Sequence, residues 1–157
     1  MKTSWLASLL VFTFTQLAVS APPVEPTPAK YFSGPVSRDV AAALKRGAAE
    51  HKPVWIVAWD DVFFRSPEGK SGLSSDYYLH YFYDNPETKK MVAGNFITAF
   101  TTMRNPAISQ WIDPADKTHT PIYIVIDREG KMLVRKTHGG NPDAALKEVQ
   151  EVVAQLK

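Results

Sequence analysis

The stretch Lys52-Pro-Val-Trp-Ile-Val-Ala-Trp-Asp-Asp-Val-Phe-Phe-Arg-Ser66 decides the fold of this chain. Residues 53–59 form an unbroken apolar run that is rich in β-branched and aromatic side chains and does not alternate with polar residues. Such a run is typical of a central strand that is covered on both faces. The chain then becomes polar at Asp60-Asp61. In α/β proteins, binding and catalytic groups lie in the loop after such a strand, so a functional site is expected there.

The segments on either side of this strand predict an α/β domain. Strands are predicted at residues 53–59, 96–102, 121–127 and 132–136, with the last two forming a hairpin. Helices are predicted at residues 37–51, 76–83, 86–95, 106–112 and 142–156, with Ser37 and Asn141 in capping positions and Pro86 at an early helical position. This order predicts a central mixed four-stranded sheet flanked by helices.

The first residues predict export. Lys2 precedes an apolar core over residues 5–17, and Ala18-Val19-Ser20 supplies the small residues that a signal peptidase requires. We predict cleavage after Ser20, because cleavage after Ala21 would leave a proline at the new N-terminus. A membrane anchor is the alternative, but the apolar stretch is short and is interrupted by Ser and Thr. The mature protein is therefore expected to be periplasmic or secreted, with no integral membrane association.

Proline dominates the segment after the predicted cleavage site. Residues 21–35 contain five prolines, which keep a chain extended and deny it helical hydrogen bonds. We interpret this segment as a linker that spaces the domain from whatever lies upstream. The chain is thus predicted to consist of a signal peptide (1–20), a linker (21–35) and one domain (36–157).

Composition limits the possible functions. The chain has 157 residues, of which 45% are hydrophobic and 22% charged, as expected for one globular domain. The net charge of +2 is spread along the sequence and gives no reason to expect nucleic acid as a partner. The absence of cysteine excludes disulfides, thiolate nucleophiles and cysteine-ligated metals. The four histidines lack short metal-ligand spacing, so neither a metal nor a cofactor is predicted.

Three segments, in order, resemble the thioredoxin-like family over about residues 40–156. Lys52-Pro-Val-Trp-Ile-Val-Ala-Trp59 resembles the strand that leads into the active site of that family. Asp84-Asn-Pro-Glu87 with Asn95-Phe-Ile97 resembles its second helix and second strand, as in exported bacterial members. Thr120-Pro121, followed by an apolar strand and a turn, resembles its cis-proline loop and hairpin. The resemblance implies a thioredoxin-like fold.

The redox centre of the family is missing from this chain. The resemblance places the two cysteines of the Cys-x-x-Cys motif at Phe63 and Ser66, and the buried proton-carrying acid at Val57. Disulfide exchange requires a thiolate, which Phe63 cannot provide. The hydroxyl of Ser66 is not ionised at neutral pH without an activating base. Phe63 and Ser66 are therefore degenerate redox positions, and the chain is not expected to be a dithiol oxidoreductase.

The leading hypothesis is a binding module that uses the former active-site face. The proposed groove consists of Phe63, Phe64, Arg65, His119, Thr120 and Pro121. If the Thr120–Pro121 bond is cis, as the resemblance implies, residue 119 or 120 keeps backbone groups that can pair with an extended peptide. Two phenylalanines make this surface apolar, which favours an exported protein or an extended peptide as the partner.

Two other functions remain open at this stage. An enzyme of another kind could use His119 with Asp60 or Asp61, which requires the imidazole and a carboxylate to lie close together. A structural domain of an envelope assembly would need no pocket. The aromatic residues of segment 77–83 could stack on a sugar or peptide, although a helix on a sheet uses such side chains for its core. The sequence leaves the partner and the oligomeric state open.

Overall fold

The computed structural model describes residues 27–60, 75–113, 121–139 and 141–156. Its strands are β1 (Val36–Ser37), β2 (Val54–Trp59), β3 (Ile97–Thr102), β4 (Ile122–Ile126) and β5 (Met132–Thr137). Its α-helices are α1 (Val40–Glu50), α2 (Ser75–Phe82), α3 (Pro86–Asn95) and α4 (Pro142–Ala154). Two 3₁₀ helices, Pro28–Lys30 and Pro106–Trp111, complete the described elements. The predicted signal peptide lies outside the described residues.

The five strands form one mixed sheet in the order β1-β3-β2-β4-β5. β1, β3 and β2 run parallel, whereas β4 is antiparallel to β2 and β5 is antiparallel to β4. The prediction of four strands was wrong by one edge strand, because Val36 and Ser37 pair with Thr98 and Ala99 of β3. The mixed sheet with flanking helices is confirmed.

The cap of α1 also differs from the prediction. Ser37 belongs to β1, and the side chain of Asp39 accepts the capping hydrogen bond from the Ala42 backbone N–H at 3.0 Å. The hydroxyl of Ser37 instead donates to the backbone oxygen of Asp39 at 2.7 Å, which shapes the turn before the helix. The predicted cap of α4 is confirmed, because the side chain of Asn141 accepts from the backbone N–H of Asp143 at 3.0 Å. Asn85 caps α3 in the same way, since its side chain accepts from the backbone N–H of Glu87 at 2.9 Å.

β2 lies between two apolar layers, which explains its unbroken apolar sequence. Trp55, Val57 and Trp59 face one cluster, which is built mainly from α2, α3, α4 and the segment before β1. The alternate residues of β2 face a second cluster, to which α1 and the second 3₁₀ helix contribute. Every residue of β2 is buried, as expected for a central strand covered on both faces.

The folded domain begins before the predicted boundary at residue 36. Tyr31 and Phe32 are only 1% and 7% exposed, and both belong to the larger apolar cluster. The carboxylate of Asp76 on α2 accepts hydrogen bonds from the Tyr31 hydroxyl and from Lys30 Nζ, which fixes this segment across α2. The end of the predicted linker is therefore part of the domain. Within the described ranges, no helix has the length and apolar character needed to cross a bilayer.

Replacing Gly47 by Ala should destabilise the fold. A Cβ at this position in α1 would lie 2.5 Å from Val54 Cγ2 and 2.9 Å from the backbone oxygen of Lys52, which cannot rotate away. We expect Gly47→Ala to lower the free energy of unfolding by about 1 to 3 kcal/mol in urea titrations.

The matched control for this substitution is Gly94→Ala in α3. A Cβ at Gly94 has no atom within 4 Å, so the same change adds helix propensity without a clash. We expect it to raise the free energy of unfolding by up to about 1 kcal/mol. Equal effects of the two substitutions would contradict the close contact between α1 and the start of β2.

Candidate functional site

The carboxyl end of β2 and the amino end of β4 lie side by side where these two strands end and begin, and we call this place the strand-end site. Ala58 of β2 pairs with Ile122 of β4, so Trp59 and Asp60 are brought next to Pro121. The backbone N–H of Asp60 donates to Ser75 Oγ at 3.3 Å, which connects the end of β2 to the start of α2. Two of the predicted site residues, Asp60 and Pro121, thus lie at the strand-end site.

The other predicted site residues lie outside the described part of the chain. They are Asp61, Phe63, Phe64, Arg65, Ser66, His119 and Thr120. The isomer of the Thr120–Pro121 bond also involves a residue outside that part. The groove, the degenerate redox positions and the pairing of His119 with Asp60 or Asp61 therefore stay predictions.

A hydrogen-bonded histidine holds Pro121 in place. The carbonyl oxygen of Pro121 accepts from the backbone N–H of His138 at 2.8 Å and from Nδ1 of the same residue at 3.0 Å. A carbonyl can only accept, so Nδ1 carries the imidazole hydrogen and Nε2 keeps its lone pair. Nε2 lies 3.1 Å from the hydroxyl of Tyr83, which therefore donates to it.

The same chain of hydrogen bonds continues into the core. Trp55 Nε1 donates to the hydroxyl oxygen of Tyr83 at 2.9 Å, so the order of donation is Trp55, Tyr83, His138, Pro121. We call these four residues the buried relay. Each buried polar group in it has a partner, and satisfied networks of this kind fix one arrangement of a core.

Burial keeps the relay uncharged. His138 is 1% exposed, and its ring centroid lies 4.5 Å from that of Phe82 and 5.3 Å from that of Tyr123. Desolvation lowers the pKa of His138 to about 3, and the hydrogen bond to Pro121 only partly opposes it. Burial likewise raises the pKa of Tyr83, against a smaller opposite effect of the Trp55 hydrogen bond. Neither group changes charge near neutral pH, so the relay acts as a scaffold and not as an acid–base pair.

Sequence reasoning did not find the buried relay. Its hydrogen bonds join residues that are 28, 55 and 17 positions apart, and no local pattern connects them. His119 stood out in the sequence because it precedes the predicted cis-proline, whereas His138 looked like a packed or solvated histidine. Its position two residues after the predicted end of the last hairpin strand, at Lys136, was the available signal. Among the described residues, no group of three His, Asp or Glu side chains could hold a metal ion.

Helix α2, beside the site, is divided between core and surface. Leu79, Phe82 and Tyr83, at and just beyond its end, are buried, which agrees with the expectation that this aromatic segment supplies core side chains. Tyr77 and Tyr81 are each 37% exposed, and their ring centroids are 4.5 Å apart. The helix therefore also presents an aromatic surface to solvent.

Comparison with known proteins identifies solved structures of a similar fold. No family model and no curated protein matches the sequence. A solved structure titled "DsbH Oxidoreductase" aligns with this chain at a TM-score of 0.54 and 17% sequence identity. The alignment covers 87% of this chain and 94% of the chain in that structure. A disulphide isomerase from Xylella fastidiosa Temecula1 matches 73% of this chain and 88% of its own, with a TM-score of 0.52 and 18% identity. At this identity the likeness concerns the fold alone.

Proposed function

Since the chain has a thioredoxin-like fold and no cysteine, we propose that it is a redox-inactive binding module for a protein or an extended peptide. The observation that carries this proposal is that this chain contains no cysteine, although its fold is similar to those of an oxidoreductase and a disulphide isomerase. Dithiol chemistry requires a thiolate, so what the fold can still provide is its surface.

The geometry of the strand-end site supports binding. The buried relay holds Pro121 from the core side through satisfied hydrogen bonds between neutral groups. The strand-end site is therefore supported rigidly and without a charged relay group. A preorganised surface loses less conformational entropy when a partner binds. Rigid support at Pro121 is therefore what a recognition surface in the adjoining segments would require.

The carbonyl of Pro121 itself is not proposed as a contact for the partner. It has two lone pairs, and the backbone and the ring of His138 already donate to it. The partner would instead pair with backbone groups of His119 or Thr120 and contact the side chains of Phe63 and Phe64. The export signal predicted at residues 1–20 leads us to expect this partner in the periplasm or outside the cell.

Site-specific photo-crosslinking tests the proposed face. In the chain of residues 21–157, a photoreactive benzoylphenylalanine replaces Phe63 in one variant and Tyr81, on the exposed side of α2, in another. After exposure to an envelope extract of the source organism, we expect adducts from position 63 and not from position 81. In pull-downs from the same extract, the chain with Phe63→Ala/Phe64→Ala should recover at least about tenfold less of the same partner than the wild-type chain, as for aromatic hot-spot residues.

Each other outcome has a defined meaning. Adducts from position 81 that survive the double substitution would move the interface to α2. An absence of adducts from both positions, in chains that unfold with the wild-type midpoint, would refute the binding module and favour a structural domain. The Tyr81 variant is the matched control, because it carries the same photoreactive group at an exposed aromatic position of α2.

A further inference from the structure

Exposed aromatic side chains gather on α2. Among the described residues, the large apolar side chains that are exposed are Tyr77, Tyr81 and Met132. The ring centroids of Tyr77 and Tyr81 lie 4.5 Å apart, and the half-buried Tyr78 contacts Tyr77 edge to face, with 5.4 Å between centroids. We call these three tyrosines the tyrosine face. A cluster of exposed rings, unlike single scattered apolar residues, is a candidate contact surface.

The chain enters the folded domain beside this face. Lys30 Nζ donates to the carboxylate of Asp76 at 2.7 Å, and the hydroxyl of Tyr31 donates to the same carboxylate. The backbone oxygen of Lys30 accepts from Lys89 Nζ at 3.2 Å, so Lys30 is held between α2 and α3. Asp76 directly precedes Tyr77 in the sequence. The residues that lead into Lys30 therefore approach the domain close to the tyrosine face.

The residues just before the described part of the chain are rich in proline. Residues 21–26 read Ala-Pro-Pro-Val-Glu-Pro, and we call them the proline segment. Such sequences favour the polyproline II helix, in which every third residue lies on the same side, here Pro23 and Pro26. In that conformation the segment would span about 19 Å, with about 9 Å between Pro23 and Pro26. Tyr77 and Tyr81 are about 6 Å apart along α2, so one side of the segment can cover both rings.

Covalent attachment selects the proline segment among the possible occupants of the tyrosine face. Aromatic surfaces bind proline-rich segments well, because a polyproline II helix is already ordered and loses little entropy on binding. A segment joined to the domain acts at an effective concentration in the millimolar range. A separate molecule, including a second copy of this chain, would also lose translational and rotational freedom.

We propose that the proline segment packs on the tyrosine face of its own domain, with Pro23 and Pro26 against the rings of Tyr77 and Tyr81. The predicted linker then holds the domain close to whatever precedes residue 21 instead of spacing the two apart. It also covers α2, which leaves the strand-end site for partners. The inference goes beyond the proposed function and does not depend on it, because it includes no residue of the strand-end site.

Nuclear Overhauser effects test this contact in the chain of residues 21–157 with isotope-labelled proline. We expect effects between the ring protons of Tyr77 and Tyr81 and the side chains of Pro23 and Pro26. In a mixture of labelled and unlabelled chains, no such effect should join different copies. Tyr81→Ser should shift the resonances of both prolines. Met132→Ser is the matched control, because Met132 is 39% exposed against 37% for Tyr81, and it should leave these resonances as in the wild type.

A soluble paramagnetic agent, which relaxes exposed protons, provides the second measurement. Pro23→Gly/Pro26→Gly removes both proline rings and the preference for polyproline II. It should raise the relaxation rate of the Tyr81 ring protons at least about twofold, because the ring loses its cover. The methyl group of Met132 is the internal control, and its relaxation rate should stay the same. The variant should unfold with the wild-type midpoint, since both substitutions precede the folded domain.

Three results would overturn the inference. They are an absence of effects between the proline segment and the tyrosine face, effects that join only different copies of the chain, and equal relaxation of the Tyr81 ring in the wild type and in Pro23→Gly/Pro26→Gly. Phe63→Ala/Phe64→Ala should leave all of these measurements unchanged. Because they use the purified chain alone, this inference and the proposed function can fail separately.

Discussion

Acidification from pH 7 to pH 3 should remove about 4 to 5 kcal/mol of stability through His138 alone. Burial lowers the pKa of this imidazole from 6.5 to about 3 in the folded protein, while the unfolded chain keeps the ordinary value. Between these two values the unfolded state binds more protons than the folded state. The contribution is therefore fully present above pH 6.5 and is lost as the pH falls towards 3.

Urea titrations between pH 3.5 and 7 measure this contribution as a difference between variants. Carboxylates also contribute to acid unfolding, so the informative quantity is the slope of wild type compared with His138→Gln. At pH 7 the free energy of unfolding of the variant should be lower by about 1 to 3 kcal/mol, because the variant loses hydrogen bonds of the buried relay. Its stability should depend less on pH than that of the wild type.

His80→Gln is the matched control for the same substitution. His80 lies on the exposed side of α2, so its replacement should change the free energy of unfolding at pH 7 by less than about 0.5 kcal/mol. Parallel curves for wild type and His138→Gln would show that His138 does not stay neutral in the folded protein. A titration of the His138 imidazole near pH 6 in NMR spectra of the folded chain would contradict the buried relay directly.

A chain that starts at residue 36 should fail to fold cooperatively, although residue 36 was the predicted domain boundary. It lacks Tyr31, which stacks on Phe100 with 6.0 Å between ring centroids, and Phe32, whose centroid lies 4.8 Å from that of Tyr83. Removing a buried aromatic side chain costs about 3 to 5 kcal/mol. Two such losses approach the total stability of a typical domain, about 5 to 15 kcal/mol.

Circular dichroism during heating and in urea distinguishes the chain of residues 21–157 from that of residues 36–157. Tyr31→Ala and Phe32→Ala should each lower the free energy of unfolding by about 3 kcal/mol or more. Lys30→Ala should cost less than about 1 kcal/mol, because its ion pair with Asp76 is on the surface. The same unfolding midpoint for both chains would show that the segment before β1 is not part of the core.

The elements that the sequence predicted well are those whose signal is local. β2 was predictable because a strand covered on both faces needs apolar residues at every position. α3 and α4 were predictable because Asn85-Pro86 and Asn141-Pro142 place a cap and a first-turn proline together. The absence of cysteine was evident from the sequence alone.

The elements that were missed depend on contacts between distant segments. β1 has two residues, too few for a periodic pattern, and it exists because β3 lies beside it. Tyr31 and Phe32 lie among prolines that favoured a linker, yet Pro28 starts a 3₁₀ helix that turns both rings into the core. Among the site residues, Asp60 and Pro121 could be placed from strand ends, whereas the buried relay could not.

The neutrality of the buried relay has a consequence for where the protein can work. Dissolved ions weaken the attraction between charged groups over about 8 to 10 Å at ordinary ionic strength, but they have little effect on buried hydrogen bonds between uncharged partners. Trp55, Tyr83, His138 and Pro121 are such partners. The support that the relay gives to Pro121 should therefore keep its shape at low and at high salt concentration alike.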